Sequence, residues 1–477
     1  MTEPDPRRWQ ALALVCVAFF MTVLDVSIVN VALPSIGRSL HFSDTGLQWV
    51  ITAYAITFGG FLLLGGRAGD ILGRKRMFLV GVAIFSAASL LCGFAGSTGV
   101  LIAARAIQGF GAAIVSPATL SIITTTFEEG AERNKALGIW GAMGGSGAAA
   151  GVLFGGILVK YLGWEWIFFV NVPVGALVLA LTPGIVRESR APDVGRNFDA
   201  IGACSVTGGL ALLVYAISKA PVDGWGDATT IALLIAAAAL IVFFVVWETR
   251  TKNPLMPLSI FRIRTLAGAN VVALLLGASI FADFFILTQY VQYVLHYSPL
   301  KTGITFLATA GTVVVVAGLS QWLCTKIGVK PVLVAGMTLN TAALIWYTQI
   351  PVDGNYVHDL LGGYLLFGVG LAFAFIPVSI AALAGVGPRE AGLASGLLNT
   401  AQQVGGAIGV AIATSVAVSQ TTHLLQTGGS QAAALTSGYS RAFWVIAGIS
   451  AAGVLAALVL VRSDEVPVQA EEALETG

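Results

Sequence analysis

Apolar runs of about 20 residues or more recur along this chain, parted by short polar or Pro- and Gly-bearing breaks such as 34–45 and 351–354. A helix of that length crosses the hydrocarbon core of a bilayer. Charged residues make up only 10% of the chain, where a soluble domain carries about a quarter. There is too little charge to coat a water-facing surface, so the chain reads as an all-α, multi-pass membrane protein. A net charge of +1 and the lack of a basic tract argue against a nucleic-acid partner. The first apolar run extends over about 25 residues with no small-x-small cleavage site behind it, longer than a signal peptide's core. Cys16, Cys92, Cys204 and Cys324 fall inside apolar runs without metal or disulfide spacing, and read as small packing residues.

Fourteen spans can be drawn: 10–35, 47–66, 77–97, 99–126, 134–160, 164–185, 200–219, 229–247, 266–295, 300–323, 331–350, 357–385, 390–420 and 439–461. The basic residues test the count. With the N-terminus inside, 19 of the 25 Lys and Arg fall in cytoplasmic segments, five fall outside, and Arg105 lies within a span. This bias supports fourteen spans with both termini in the cytoplasm of a cell (inner) membrane. Trp9, Trp49, Trp164, Trp247 and Trp444 sit at span ends, as interface anchors do, whereas Trp140 lies well inside the fifth span.

The chain also repeats itself. GDILGRKRMFLVG (69–81) aligns with CTKIGVKPVLVAG (324–336) at an offset of 255, matching Gly73 with Gly328, Lys75 with Lys330 and Gly81 with Gly336. Gly147 and Gly151 match Gly405 and Gly409, and Asp25 matches Asp283, at an offset of 258. The repeat implies two pseudo-symmetric six-helix bundles, residues 1–190 and 256–462, around a two-helix insert at 191–255, with a cytoplasmic tail at 463–477. Paired six-span halves are a transporter layout, with the substrate bound near the midplane between them.

Ionisable groups in oil are costly and mark function or a fixed ion pair. Asp25 stands alone in MTVLDVSIVNVALPSI, about 25 Å up the first span. Arg105 lies about 10 Å from the outer end of the fourth span, at similar depth. The two are expected to meet, directly or through Gln108 or water, either as a proton site or as a static pair that fixes packing. Asp283 has Gly363 where the repeat would place an arginine, so it is expected to lack a formal partner and to exchange a proton as water or a cation reaches it. Nearby aromatic and amide groups are candidates to line a cavity for a lipophilic cation: Phe284, Gln289, Tyr290 and Tyr293 beside Asp283, Trp140 in span five, Gln108 in span four, and Asn399 and Gln402 in span thirteen. Asp70 follows span two and is expected near the N-terminus of span thirteen, which begins near Pro388, where a helix dipole favours a carboxylate. Gly147, Gly151 and Gly155 recur every fourth residue and form a flat packing face, expected to seal the two halves. Asp199 is placed to cap span seven. No phosphate loop, HExxH or GxSxG occurs, so an ATP-driven pump or a hydrolase lacks its parts.

Several stretches together resemble the major facilitator superfamily, in particular its fourteen-span drug:proton antiporters: LDVSIVNVALPSI in span one, GGRAGDILGRKR after span two, RAIQGFGAAIVSPA in span four, GIWGAMGGSGAAAGVLFGG in span five, WIFFVNVPVG, FDAIG, and ETRTKNPLMPLSIFR. Val152 departs from the antiporter motif, which has Pro there, and Glu165 replaces a usual Arg. The resemblance implies alternating access without a cofactor, driven by a proton gradient, with export of a lipophilic drug or antibiotic by a monomer in contact with membrane lipid. It also implies that Asp25, Arg105 and Asp283 couple protons, and that Asp70, Gly73, Arg74 and Lys75 form a cytoplasmic gate. A lipid or metabolite exporter on the same scaffold and a non-transporting sensor are the alternatives.

Overall fold

The structure is a computed structural model that describes residues 6–42, 47, 49–128, 130–190, 199–251, 254–386 and 391–462. The start of span thirteen near Pro388, the boundary at 191 and the tail 463–477 lie outside them. The described residues form fourteen long helices: α1 (Arg8–Ser39), α2 (Trp49–Leu72), α3 (Arg74–Gly93), α4 (Thr98–Thr126), α5 (Ala131–Tyr161), α6 (Trp166–Ile185), α7 (Ala200–Asp223), α8 (Ala228–Glu248), α9 (Arg264–Gln289), α10 (Pro299–Ile327), α11 (Val329–Tyr347), α12 (Leu361–Leu383), α13 (Ala391–Gln426) and α14 (Gln431–Leu460). Thirteen of them are long and apolar enough, among the described residues, to cross a membrane. The other, α5, is 31 residues long and packs among them.

Side-chain oxygens set several helix starts by accepting orphan N–H groups. Asp199 caps α7 through Gly202, Asp227 caps α8 through Thr229 and Thr230, and Ser298 caps α10 through Lys301, with Pro299 in the first turn. Ser430 starts α14 eight residues before the expected span, because the helix begins at its cap and not at the edge of the oil. A π-helical turn, Tyr290–Val294, continues α9.

Helices α1–α6 pack into one half and α9–α14 into the other. The pairings repeat: α3 lies on α4 as α11 lies on α12, and α1 on α5 as α9 on α13. Pro377 in α12 lies two residues beyond the place that matches Pro117 in α4. Two broad contacts join the halves, α5 with α10 and α2 with α13, and the repeat interchanges them. The insert lies on the flank, where α7 touches both α2 and α13, and α8 packs chiefly on α7. Cys204 is exposed on α7, unlike the three buried cysteines, so its place in an apolar run does not make it a packing residue.

The glycine stripe of α5 corrects one expectation. A methyl on Gly151 would lie 2.7 Å from the Leu24 carbonyl, and methyls on Gly147 and Gly155 would press on Val23 and Ile28. The stripe therefore seats α5 on α1 within one half. Gly405 and Gly409 likewise seat α13 on α9, against the backbone at Leu274 and Ala278. Backbone contact this close is not confined to pairs inside a half, since Gly66 of α2 and Gly392 of α13 meet in the same way. The face of α5 toward the other half is a neighbouring one, through Gly141 against Ile376 and Gly156 against Leu300.

Candidate functional site

Asp25 sits where five helices converge. Its Oδ2 accepts Nη1 of Arg105 at 2.5 Å, and its Oδ1 accepts Nε2 of Gln108 at 2.8 Å and Nδ2 of Asn171 at 3.0 Å. Arg105 also donates Nε to the Val50 carbonyl at 3.0 Å, and its guanidinium lies 4.3 Å over the ring of Tyr54. Gln108 accepts Arg105 Nη1 at 2.5 Å and donates to Ser89 at 2.7 Å. Asp25 is 0% exposed and Arg105 1%. A buried pair holds only if its remaining lone pairs and protons are met, and this network meets those of the carboxylate three times over. The depth argument brings Asp25 and Arg105 together without a bridging water. It missed Asn171, a lone amide inside the apolar α6 that answers to the same criterion as Asp25.

The pseudo-equivalent Asp283 is built differently. It is 2% exposed, and its Oδ1 has no hydrogen-bond partner among the described residues. Tyr347 and Tyr364 lie within its electrostatic reach and belong to an aromatic cluster. Phe284 packs on Phe306 at 4.3 Å, Phe306 meets Tyr364 edge-on at 5.1 Å, and Tyr347 lies between Tyr364 and Phe443. The Tyr364 and Thr305 hydroxyls share a 3.1 Å bond, while the Tyr347 hydroxyl is buried without a partner.

The remaining cavity candidates are scattered. Trp140 is fully buried in the packed core. It stacks on Phe19 at 4.2 Å and leans on Phe375 of the other half at 5.8 Å, and its Nε1 donates to Thr119. Tyr290 spends its hydroxyl on the Pro351 carbonyl at 2.6 Å, Gln289 is half-buried beside it, and Tyr293 is 59% exposed. Asn399 crosses between halves, accepting the Ser116 hydroxyl at 2.8 Å. Gln402 is buried with its Nε2 unpartnered, and its backbone lies against Gly277 of α9.

At the basic end of the bundle, Asp70 accepts the backbone N–H groups of Gly392 and Leu393, each at 3.1 Å, and Nη2 of Arg74 at 2.7 Å. These amides open α13, where the helix dipole favours an anion. Gly66 and Gly392 touch backbone to backbone there. Lys75 instead binds its own half, donating Nζ to the Pro183 carbonyl at 2.8 Å. Glu188, which sequence reasoning missed, accepts the N–H groups of Lys75 and Arg76 at 3.1 Å and so caps α3 from the segment after α6. Gly73 makes the turn with φ of 109°, a conformation that favours glycine, and a Cβ there would strike the Glu188 carboxylate.

None of this is the apparatus of covalent chemistry. Among the described residues no cluster of His, Cys, Asp or Glu could hold a metal. It is an apparatus for two halves that meet, with carboxylates buried inside each. The sequence profile of the Major Facilitator Superfamily matches residues 15–410. The chain is 39% identical to the puromycin resistance protein pur8 of Streptomyces alboniger, over 99% of this chain and 94% of that protein. It is also 39% identical to the cephamycin export protein CmcT of Amycolatopsis lactamdurans, over 86% and 85%. The crystal structure of the human organic anion transporter MFSD10 (TETRAN) superposes with a TM-score of 0.69 at 16% identity, covering 95% of this chain and all of that one, a likeness of fold. The chain therefore belongs to the Major Facilitator Superfamily of membrane transporters.

Proposed function

We propose that this transporter exports a lipophilic drug or antibiotic, cationic in at least part of its range, in exchange for protons by alternating access. The observation that carries the reading is the contrast of the two buried carboxylates: Asp25 held by Arg105, Gln108 and Asn171, and Asp283 left open among tyrosines. The names of the relatives, a puromycin resistance protein and a cephamycin exporter, support a drug as cargo. The basic end faces the cytoplasm, as the positive-inside bias requires, and the Asp70–Arg74 latch keeps that side shut between transport cycles. Inward proton flow through Asp25 and Asp283 supplies the energy, with no cofactor. Both carboxylates and both contacts between halves lie in one chain, so a monomer suffices. The test is dye or tracer efflux from proteoliposomes under an imposed pH gradient. Efflux of cationic drugs that stops when the gradient is collapsed supports the reading. Efflux indifferent to the gradient removes proton coupling, and selective movement of lipid or a metabolite replaces the cargo.

A further inference from the structure

The seam between α11 and α12 carries a regular pattern. Tyr347 on α11 stands over Gly363 on α12, where a Cβ would collide with its ring and hydroxyl. Seven residues away on each helix, Asn340 stands over Gly370 in the same manner. The helices are antiparallel, so these are two levels of one seam, about 10 Å apart. By the repeat, Gly363 matches Arg105 and Tyr347 matches Ser89, both at an offset of 258. Tyr347 thus fills the room that the absent arginine leaves, and places a neutral hydroxyl within electrostatic reach of Asp283.

Four polar atoms of this region have no hydrogen-bond partner among the described residues: Oδ1 of Asp283, the hydroxyl of Tyr347, and both Oδ1 and Nδ2 of Asn340. Tyr347 and Asn340 are each 0% exposed. An unmet buried polar atom bears its full desolvation penalty, so three in one seam, with a fourth on α9, are not left dry. Protein interiors meet such atoms with bound water that makes two to four hydrogen bonds. In the corresponding place of the first half the carboxylate itself is satisfied, because Asp25, Arg105, Gln108 and Ser89 bond one another, and the Tyr54 hydroxyl beside Arg105 is unpartnered among the described residues.

We propose that the second half holds a short chain of buried water between Asp283 and Asn340, and that this chain passes the proton from Asp283 toward the basic end of the bundle. The proposal rests on the reading of Asp283 as a proton carrier. Spacing of about 2.8 Å per hydrogen bond makes roughly three waters enough to bridge the two levels. Tyrosine hydroxyl and asparagine amide each donate and accept, so both can hold water while a proton moves along it. The titratable groups that face Asp283 are Tyr347 from α11 and Tyr364 from α12, and no charged side chain among the described residues acts on it.

The experiment has two arms. Radiolytic hydroxyl labelling marks side chains that touch bound water even where solvent cannot reach. Tyr347 is expected to label in the intact transporter and to lose most of that label in Asn340→Leu. An unlabelled Tyr347 in the wild type overturns the water chain, whether or not any variant folds. In proteoliposomes, Asn340→Leu is expected to slow gradient-driven efflux at least tenfold while keeping substrate exchange at equal pH within twofold, and Asn340→Ser, which keeps a hydroxyl, is expected to retain most of the driven rate. A driven rate unchanged in Asn340→Leu overturns the proposal. Asp283→Asn separates the two ideas: if it still exports under a gradient, the carrier role of Asp283 falls, while the labelling of Tyr347 still decides on the water.

Discussion

The carboxylate of Asp70 and the backbone N–H of Gly392, 322 positions apart in the chain, are joined by a 3.1 Å hydrogen bond that crosses from one half of the transporter to the other. Leu393 adds a second such bond, and Arg74 binds the same carboxylate from its own half. The acid is therefore shared between a cation of its own half and the amides that open α13 in the other.

Asp70→Asn keeps the shape and one acceptor but removes the charge. Hydrogen bonds to a charged group contribute about 1.5–3 kcal/mol, so the closed state should lose roughly ten- to a hundredfold in population at 1.4 kcal/mol per decade. A cysteine placed at the basic end between α2 and α13 should react faster with a membrane-impermeant thiol reagent applied from that side. Reactivity equal to that of the parent would mean that the contact is not a lock.

Asp25→Asn leaves Arg105 buried with a neutral partner. Breaking one side of a buried pair costs about 3–5 kcal/mol, and the melting temperature in detergent should fall sharply. Pairing it with Arg105→Gln removes the stranded charge and should recover most of that stability. Transport then separates the two roles of the pair. A double variant that is stable but no longer exports against a gradient has lost coupling. One that is stable and still exports has lost only a brace.

Much of this site is legible in the order of the amino acids, for a physical reason: charge in oil is so costly that it must find a partner at its own depth. The 1.5 Å rise of a helix then suffices to match Asp25 with Arg105. The Asp70 contact is readable in the same way, from a carboxylate expected near a helix N-terminus. Partners set by helix rotation or by loop return are not legible. The spacing of Gly147, Gly151 and Gly155 announces a close neighbour but not that the neighbour is α1. Nothing local to Lys75 points to the Pro183 carbonyl 108 residues on. The loss of an arginine at Gly363 is visible in the repeat, but its replacement by a tyrosine from another helix is not.

Gly151→Ala tests the seating of α5 on α1. The added methyl meets the Leu24 carbonyl and Ser27 at 2.7 Å, and backbone cannot turn aside as a side chain can. Overpacking of this kind costs about 1–3 kcal/mol. Gly311→Ala and Gly448→Ala, which meet nothing within 4 Å, serve as controls and should leave thermal stability within about 0.5 kcal/mol of the parent. Equal melting temperatures for all three variants would show that α1 and α5 do not pack as described.

The insert gives the last expectation, opposite in sign to the first. Helix α7 is seated on α2, where a methyl on Gly60 would lie 3.2 Å from Ala211 and Tyr215 packs on Trp49. Just beyond α7, at the end of the bundle away from Asp70, Trp225 donates its indole N–H to Ser415 of α13 at 2.7 Å. The insert thereby ties the first half to the second at the end opposite the Asp70 contact, the outer end under the proposed orientation. A neutral, partly exposed hydrogen bond contributes about 0.5–1.5 kcal/mol, so Ser415→Ala should relax the outer side by about two- to tenfold. Relaxing the outer side favours the outward-open state, which Asp70→Asn disfavours. A cysteine between α2 and α13 at the outer end should gain reactivity in Ser415→Ala and lose it in Asp70→Asn, and the double variant should return toward the parent. Changes of the same sign in both single variants would mean that α7 rides with neither half as a strap, and that the two ends do not open in alternation.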